Sequence, residues 1–445
     1  MSVHQSCNRE FFLMEDYLHH GRDIPLSDFF IDYPCGYCLY RNGLAIENFV
    51  IVYVEDYVKS GKNSYSLLID FYTIYDYLRF EAGMGNEQSN NDNNGIPRTT
   101  FIRVDNYTSL DAPLKDTHYY LDLAELGRRT VKRESWKGEG FPLLYELTLS
   151  QERGNSNAPL LYLAGSLVYP QWVFRSFQSL APFPMMSPNS NLDLMVYDVW
   201  QGNYNEIKEG NDAKLVFDAG TEILESTIPF NTLLGKLQGE LTNGLPLFVL
   251  SHWHSDHYSL LFALPNTDLY KIQGYVFPSY VKNLSVFLFV LRLRLIGCNV
   301  TMINLPYNTP WVVHTQNGCR MRLYANKYVK SSPNNSGLTV FVEGATNNVM
   351  LSGDCRYRLA ESQSNDAIKH PMGQNQTHYL LVPHHGGLAG KATYRLANAQ
   401  NVVGIVSVGT NNRHRHPNGT VLGQLSQYVR AIERTDLRGD MRFAL

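Results

Sequence analysis

No stretch of this chain is apolar for long enough to cross a bilayer. The best run, Val286-Phe287-Leu288-Phe289-Val290-Leu291, is broken by Arg292 and Arg294. It falls far short of the roughly 20 residues that a spanning helix needs. The segment from Met1 to Glu15 lacks a basic start followed by an apolar stretch, so no secretory signal is expected there. Cysteine is scarce: six in 445 residues, at positions 7, 35, 38, 298, 319 and 355. That scatter excludes a disulfide framework and fits a reducing cytoplasm. Cys35-Gly36-Tyr37-Cys38 has no second pair to complete a zinc site, and two buried thiols are the plainer reading. Charge of one sign is also missing. With 38 Lys and Arg against 41 Asp and Glu, the formal net charge is -3, which predicts no strong global attraction to nucleic acid and leaves only a local basic groove open.

What the chain does have is core-forming material: 44% hydrophobic against 18% charged residues. At 445 residues it exceeds a typical single domain, so two are expected. The 29 Tyr and 21 Phe suit cores and β-surfaces, and any left exposed can stack on bases. Residues 84 to 98 are Asn/Gly-rich and almost without apolar side chains, which predicts a mobile loop. A second polar, proline-bearing stretch from Ala181 to Asn191 predicts a boundary between a front domain, residues 1–185, and a second domain, residues 192–445. The front domain reads as mixed, with more strand than helix; Phe49–Val54 and Thr100–Val104 are two of its strands. Beyond the boundary, strands are expected at Asp193–Val199, Lys214–Asp218, Leu247–Leu250, Leu338–Val342, Asn348–Ser352, Tyr379–Val382 and Val402–Val408. Several of them end in Gly or a polar group, where layered α/β folds collect their chemistry.

The densest chemistry is Ser251-His252-Trp253-His254-Ser255-Asp256-His257, which follows the apolar strand Leu247–Leu250 directly. Residues two apart on an extended segment face the same way, so His252 and His254 can converge on one ion. Asp256 and His257, in the turn that follows, can serve a second. Imidazoles with some carboxylate suit zinc, manganese or iron, whereas an all-oxygen set would suit magnesium or calcium. Three more pieces fall at strand ends. Leu351-Ser352-Gly353-Asp354 supplies a carboxylate, Val382-Pro383-His384-His385-Gly386-Gly387 two imidazoles, and Arg413-His414-Arg415-His416 two more imidazoles with two arginines. Each piece alone is weak; four in this order are hard to assign to chance.

The order HxHxDH, then Gly-Asp, then a strand-final His resembles the metallo-β-lactamase fold. The finer wording resembles the metal-hydrolase domain of ComEC-type DNA-uptake proteins. Tyr197-Asp198-Val199-Trp200-Gln201-Gly202-Asn203 is similar to its "DVGQGD", and Phe217-Asp218-Ala219-Gly220 to "IDTG". Asn334 to Val340 resembles "NxxSLVL", Leu351–Asp354 "LTGD", Val382–Gly387 "VPHHGS", and Val406 through Pro417 "ISVGxxNxxxHP". The resemblance covers about residues 192–420.

That resemblance implies an α/β (α+β layered) protein: an αββα metallo-β-lactamase sandwich, preceded by a separate, mixed, strand-rich N-terminal domain. It implies one or two divalent ions, zinc or manganese, held by His252, His254, Asp256, His257, the bridging Asp354 and His384. His385 is then a supporting or phosphate-contacting residue, with Asp256, His385 and His416 the catalytic set. Asp198, Asn326, Asn334, Arg413 and Arg415 are the implied substrate contacts. Two cations about 3.5–4 Å apart would acidify a shared water and neutralise a phosphodiester oxygen. The implied activity is nuclease-like cleavage of DNA or RNA, with no membrane partner. The front domain would serve recognition, a protein partner or regulation, by analogy with a bacterial competence or defence system. Hydrolysis of a thioester, lactone or lactam, or a non-catalytic partner-binding role, are the competing classes. Departures from the pattern are Trp200 for glycine, Asn203 for aspartate, Gly337 for serine, and a polar insertion from Tyr204 to Asp212 read as breaking the usual hairpin. No clear third histidine for the first ion lies between 258 and 353: His314 sits in a different context, and Asn326 lies nearer the expected place.

Overall fold

The computed structural model describes residues 49–72, 76–77, 79–80, 100–136, 143–150, 160–163, 172–173, 191–224, 230–242, 244–281, 284–303, 310–314, 320–326, 333–369, 376–388, 396–410, 412 and 414–445. The Cys35/Cys38 pair, the 84–98 segment, the 181–190 stretch and Arg413 lie outside them. The chain divides into two compact units. One comprises residues 1–175 together with Tyr280–Leu295, the other residues 176–279 and 296–445.

The first unit is built on a seven-stranded sheet in the order Thr130–Trp136, Leu143–Leu149, Thr100–Thr108, Ser64–Phe71, Phe49–Lys59, Thr117–Asp122, Leu161–Leu163. All neighbours are antiparallel except Thr100–Thr108 with Leu143–Leu149. The apolar run noted above becomes helix Leu284–Leu295, buried almost all round. It packs on strand Ser64–Phe71, and its Ser285 N–H donates to Asp70 at 3.1 Å. A helix apolar on every face needs cover on every face, which is why this short segment joins the front unit.

The second unit holds two seven-stranded mixed sheets. The first runs Val300–Ile303, Gly274–Pro278, Leu247–Val249, Asp212–Ala219, Tyr204–Glu209, Leu192–Val196, Met441–Ala444. Its first four strands are parallel and the rest antiparallel. The other runs Pro310–His314, Arg320–Ala325, Leu338–Glu343, Asn348–Leu351, His378–Leu381, Val402–Val406, Ala431–Arg434. One core joins the facing surfaces: Val196, Ile207, Leu215, Phe217 and Val249 from the first sheet pack with Leu323, Val340, Val349, Leu351 and Ile405 from the second. A second core lies on the other face of the second sheet, where Phe341, Met350 and Leu380 meet Tyr357, Ala367, Val421 and Leu425 of two covering helices. Helices Phe230–Glu240 and Ser255–Phe262 pack on strand Asp212–Ala219 of the first sheet. The architecture is therefore an αββα sandwich. Strands covered on both sides read as unbroken apolar runs, which made them legible in the sequence.

One sequence expectation is corrected. Tyr204 to Asp212 is not a polar interruption; it is strand Tyr204–Glu209, central in the first sheet, and the turn into the next strand. Its phenolic and charged side chains tolerate burial because they are partnered. The Tyr204 and Tyr197 hydroxyls donate to the Glu206 carboxylate at 2.5 and 2.8 Å, and Lys208 pairs with Glu240 at 2.5 Å.

Candidate metal centre

Strand Leu247–Val249 ends one residue before the histidine loop, and helix Ser255–Phe262 begins after His254. The loop is therefore short and held at both ends. Backbones crowd against it. A Cβ on Gly220 would lie 2.4 Å from the Asp256 carbonyl and from His257 N, so only glycine lets strand Asp212–Ala219 end this close to the ligand-bearing turn. The same holds at Gly337, where a Cβ would sit 2.1 Å from the Ser251 carbonyl oxygen. Glycine replaces the serine of the resembling motif at that position because the following residue, Leu338, donates its N–H to this same carbonyl at 2.6 Å.

Four ligand atoms converge. His257 Nε2 lies 3.3 Å from Asp354 Oδ1 and 3.9 Å from Asp256 Oδ2. His385 Nε2 lies 3.6 Å from each of those two oxygens. A tetrahedral ion with bonds of about 2.0–2.1 Å spaces its ligands by about 3.3–3.5 Å, which the His257–Asp354 pair meets, and Asp256, His257 and His385 form a grouping of donors close enough for one ion. Three of these atoms, His257 Nε2, Asp354 Oδ1 and His385 Nε2, are buried with no hydrogen-bond partner. Buried polar atoms are almost always satisfied, and three orphans facing one point fit a cation. His252 Nε2 and His254 Nδ1 lie 3.0 Å apart beside this set, with Asp354 Oδ2 4.0 Å from His252. His252, His257 and Asp354 form a second grouping of donors close enough for one ion.

Supporting hydrogen bonds decide which nitrogen faces inward. Asp218, fully buried, accepts from His257 Nδ1 at 2.8 Å, from Ser251 N–H at 2.6 Å and from the Asn203 side-chain amide at 3.2 Å. The Ser407 carbonyl accepts from His385 Nδ1 at 2.9 Å. Each bond holds a proton on Nδ1 and leaves the Nε2 lone pair for an ion. The departure at Asn203 now has a reason, since its amide donates to Asp218 where a carboxylate would repel it.

Electrostatics agree. Burial pulls the His257 imidazole down, but Asp354, Asp256 and Asp218 outweigh it and hold its pKa well above the usual value. His385 is raised in the same way, with Asp354 and Asp256 overcoming its burial. Burial would raise Asp354, yet His384, His257 and His385 hold it well below the carboxylate range. Burial and the neighbouring His257 and His254 push His252 well down. Without a cation the cluster keeps protons where one would sit.

Sequence reasoning favoured His384 over His385 as the strand-final ligand; the geometry favours His385. Both residues take left-handed backbone angles, φ 51° and 52°, and the turn they make aims His385 into the cluster. His384 Nδ1 instead donates to Asp354 Oδ2 at 2.6 Å and lies 3.0 Å from the Asn334 amide. Among the other candidates, His416 packs against His384 and His385 with ring centroids 5.4 and 6.4 Å away. Burial, then His385 and His384, push its pKa down to about 3. Arg415 is exposed, on a turn tied together by the Asn412 side chain. Asn326 accepts from Gln363 at 3.2 Å. Asp198 accepts from Trp200 N–H, and its own N–H donates to Asp440, so its observed partners lie outside the cluster. His314 closes a strand at the edge of the second sheet. Asp218 and the Ser407 carbonyl were not singled out from sequence, although the motif containing Asp218 was the signal that could have found it.

No family model matches the chain. Recombination protein 2 of Haemophilus influenzae is 26% identical over 254 residues, covering 55% of this chain and 28% of that protein. ComE operon protein 3 of Bacillus subtilis is 27% identical over 113 residues, covering 25% of this chain and 14% of that protein. The chain thus spans less than a third of the length of these curated relatives. Similar solved structures include CmlA, a diiron β-hydroxylase from Streptomyces venezuelae, at TM-score 0.33 and 11% identity over 58% of this chain and 54% of that one. A Thermotoga maritima protein described as a Zn-dependent hydrolase of the metallo-β-lactamase superfamily gives TM-score 0.27 and 14% identity over 54% and 98%.

Proposed function

The chain is a metallo-β-lactamase-fold relative of ComEC-type proteins, and from that premise we propose that it is a metal-dependent hydrolase of phosphodiester bonds, with DNA or RNA as substrate. The observation that carries the hydrolase reading is the convergence of three orphaned buried atoms, on His257, Asp354 and His385, beside Asp256. The motif wording shared with ComEC-type proteins supports the phosphodiester.

Asp256, His257, Asp354 and His385 would hold a divalent ion, zinc or manganese by donor chemistry, with His252 and His254 available to a second. A bound ion supplies Lewis-acid stabilisation of developing negative charge and makes water acidic near neutral pH. The chain's own residues do the rest. Asp256 is the one carboxylate of the set that is not deeply buried, at 19% side-chain exposure, so it can both ligate and orient an attacking water. Asp218 and Ser407 fix the imidazoles, and His384 anchors Asp354 from the other side. His416 and Asn334 border the cluster through His384 and would be placed to donate to a bound phosphodiester, and Arg415 would add positive charge at the rim. The front unit is proposed to select substrate or to bind a protein partner.

The test is a substrate panel on the full chain loaded with zinc or manganese: single- and double-stranded DNA and RNA, a thioester, a lactone and a lactam. Metal-dependent cleavage of a nucleic acid, absent in Asp256→Asn, supports the proposal. Turnover confined to the thioester, lactone or lactam overturns the phosphodiester reading, and no turnover of any of them overturns the enzyme.

A further inference from the structure

Among the described residues, eight that are not glycine have positive φ, and five of these, Trp200, Asp218, His384, His385 and Arg415, lie in the strand ends and loops that build the metal centre or its rim. Asn, Asp and His adopt this conformation more readily than other side chains; a bulky aromatic residue there is an outlier. Backbone strain kept at a site points to a function. Trp200, at φ 64°, is therefore the residue whose conformation most needs a reason, and it stands where the resembling motif has glycine.

Its position is tied to two of the ligands. Two residues on, Gly202 lies so close to the Asp256 carbonyl that a Cβ would sit 2.8 Å from it. The Gly202 carbonyl accepts from the Ser407 hydroxyl at 3.1 Å, and the Ser407 carbonyl in turn fixes His385. On the other side, a Cβ on Gly409 would meet the Trp200 Cα at 2.5 Å and Cβ at 2.8 Å. Gly409 opens the turn that carries Arg415 and His416, and its carbonyl accepts from Asn412 at 3.0 Å. Trp200 thus stands between the supports of Asp256 and His385 and the basic turn, and the residue is partly exposed.

We propose that Trp200 is the face on which a base of a single-stranded nucleic acid stacks while the adjoining phosphodiester lies over the metal centre. An indole offers the largest aromatic face of any side chain, and stacking on such a face is the sequence-tolerant part of single-strand recognition. A partly exposed tryptophan held in this conformation beside the metal centre gives the strain a use. The inference rests on the phosphodiester reading and narrows it to strands whose bases are unpaired.

The experiment measures binding of a single-stranded oligonucleotide and of an abasic strand of equal length to the full chain, with metal omitted so that neither is cut. Trp200→Leu should weaken the oligonucleotide roughly tenfold or more and leave the abasic strand unchanged. Trp200→Phe, which keeps an aromatic face, should retain most of the affinity, and thermal melting checks that both variants fold. Equal oligonucleotide binding by the wild type and Trp200→Leu overturns the stacking role alone. So does a Trp200→Leu loss that is as large on the abasic strand, or a Trp200→Phe variant that binds no better than Trp200→Leu. A wild type that binds neither strand overturns the phosphodiester reading with it.

Discussion

Asp218→Asn should cost metal affinity through hydrogen-bond polarity alone. In the wild type one carboxylate oxygen accepts from Ser251 N–H, and the other accepts from both His257 Nδ1 and the Asn203 amide. Asparagine has the same shape and keeps one acceptor, which the Ser251 N–H still claims. Its amide nitrogen then faces two donors. The conflict is relieved only if His257 moves its proton from Nδ1 to Nε2, and that nitrogen is the one aimed at Asp354 and Asp256. Loss of such an orienting partner costs 10- to 100-fold in affinity on typical figures, or roughly 1.4–2.7 kcal/mol. Calorimetric titration of zinc or manganese into the full chain, wild type against Asp218→Asn, reads this directly. Asn203→Ala is the control: it removes a donor to Asp218 without touching the His257 proton, and should change affinity much less. An Asp218→Asn variant that binds metal as tightly as the wild type would refute the reasoning.

Other changes test other links. Asp256→Asn should abolish hydrolysis, a loss of several kcal/mol of transition-state stabilisation, while circular dichroism and melting remain close to wild type. Gly337→Ser forces a side chain into the Ser251 carbonyl and should destabilise the second unit by about 1–3 kcal/mol, read as a lower midpoint in denaturant. Burial raises the Glu206 carboxyl to about 7 from an ordinary 4.5. The fold therefore prefers it protonated, and its contribution to stability is full below about pH 4.5 and lost as pH rises through about 7. Glu206→Gln, neutral throughout, should flatten that fall in melting temperature across the same window. A chain begun at Asn191 should aggregate, because helix Leu284–Leu295 loses the sheet it packs on; replacing residues 280–295 with a Gly/Ser linker should restore a soluble unit.

Strand positions in the second unit were readable because each apolar run is covered on both sides. Leu247–Val249, Asn348–Leu351 and His378–Leu381 each lie within one residue of the expected span at either end. Tyr204–Glu209 was not readable, because its burial depends on phenol–carboxylate bonds to residues that sequence spacing does not bring together. The histidine loop was legible as a ligand cluster, since its spacing is local. The choice between His384 and His385 was not, because it depends on two left-handed residues and on the Ser407 carbonyl more than twenty positions away. Asp218 escaped notice for the same reason: its work is done on His257, 39 residues on. Helix Leu284–Leu295 was plainly apolar, but nothing local in it names the sheet that it covers.

The most direct measurement is metal stoichiometry and affinity for the full chain compared with His385→Ala and His384→Ala. If Asp256, His257, Asp354 and His385 form the ion-holding set, the wild type binds at least one zinc or manganese ion. His385→Ala then loses that ion or weakens it by orders of magnitude, and His384→Ala, which removes only a hydrogen bond to Asp354, keeps most of the affinity. A His385→Ala variant that binds metal like the wild type, or a wild type that binds none, contradicts the proposed centre.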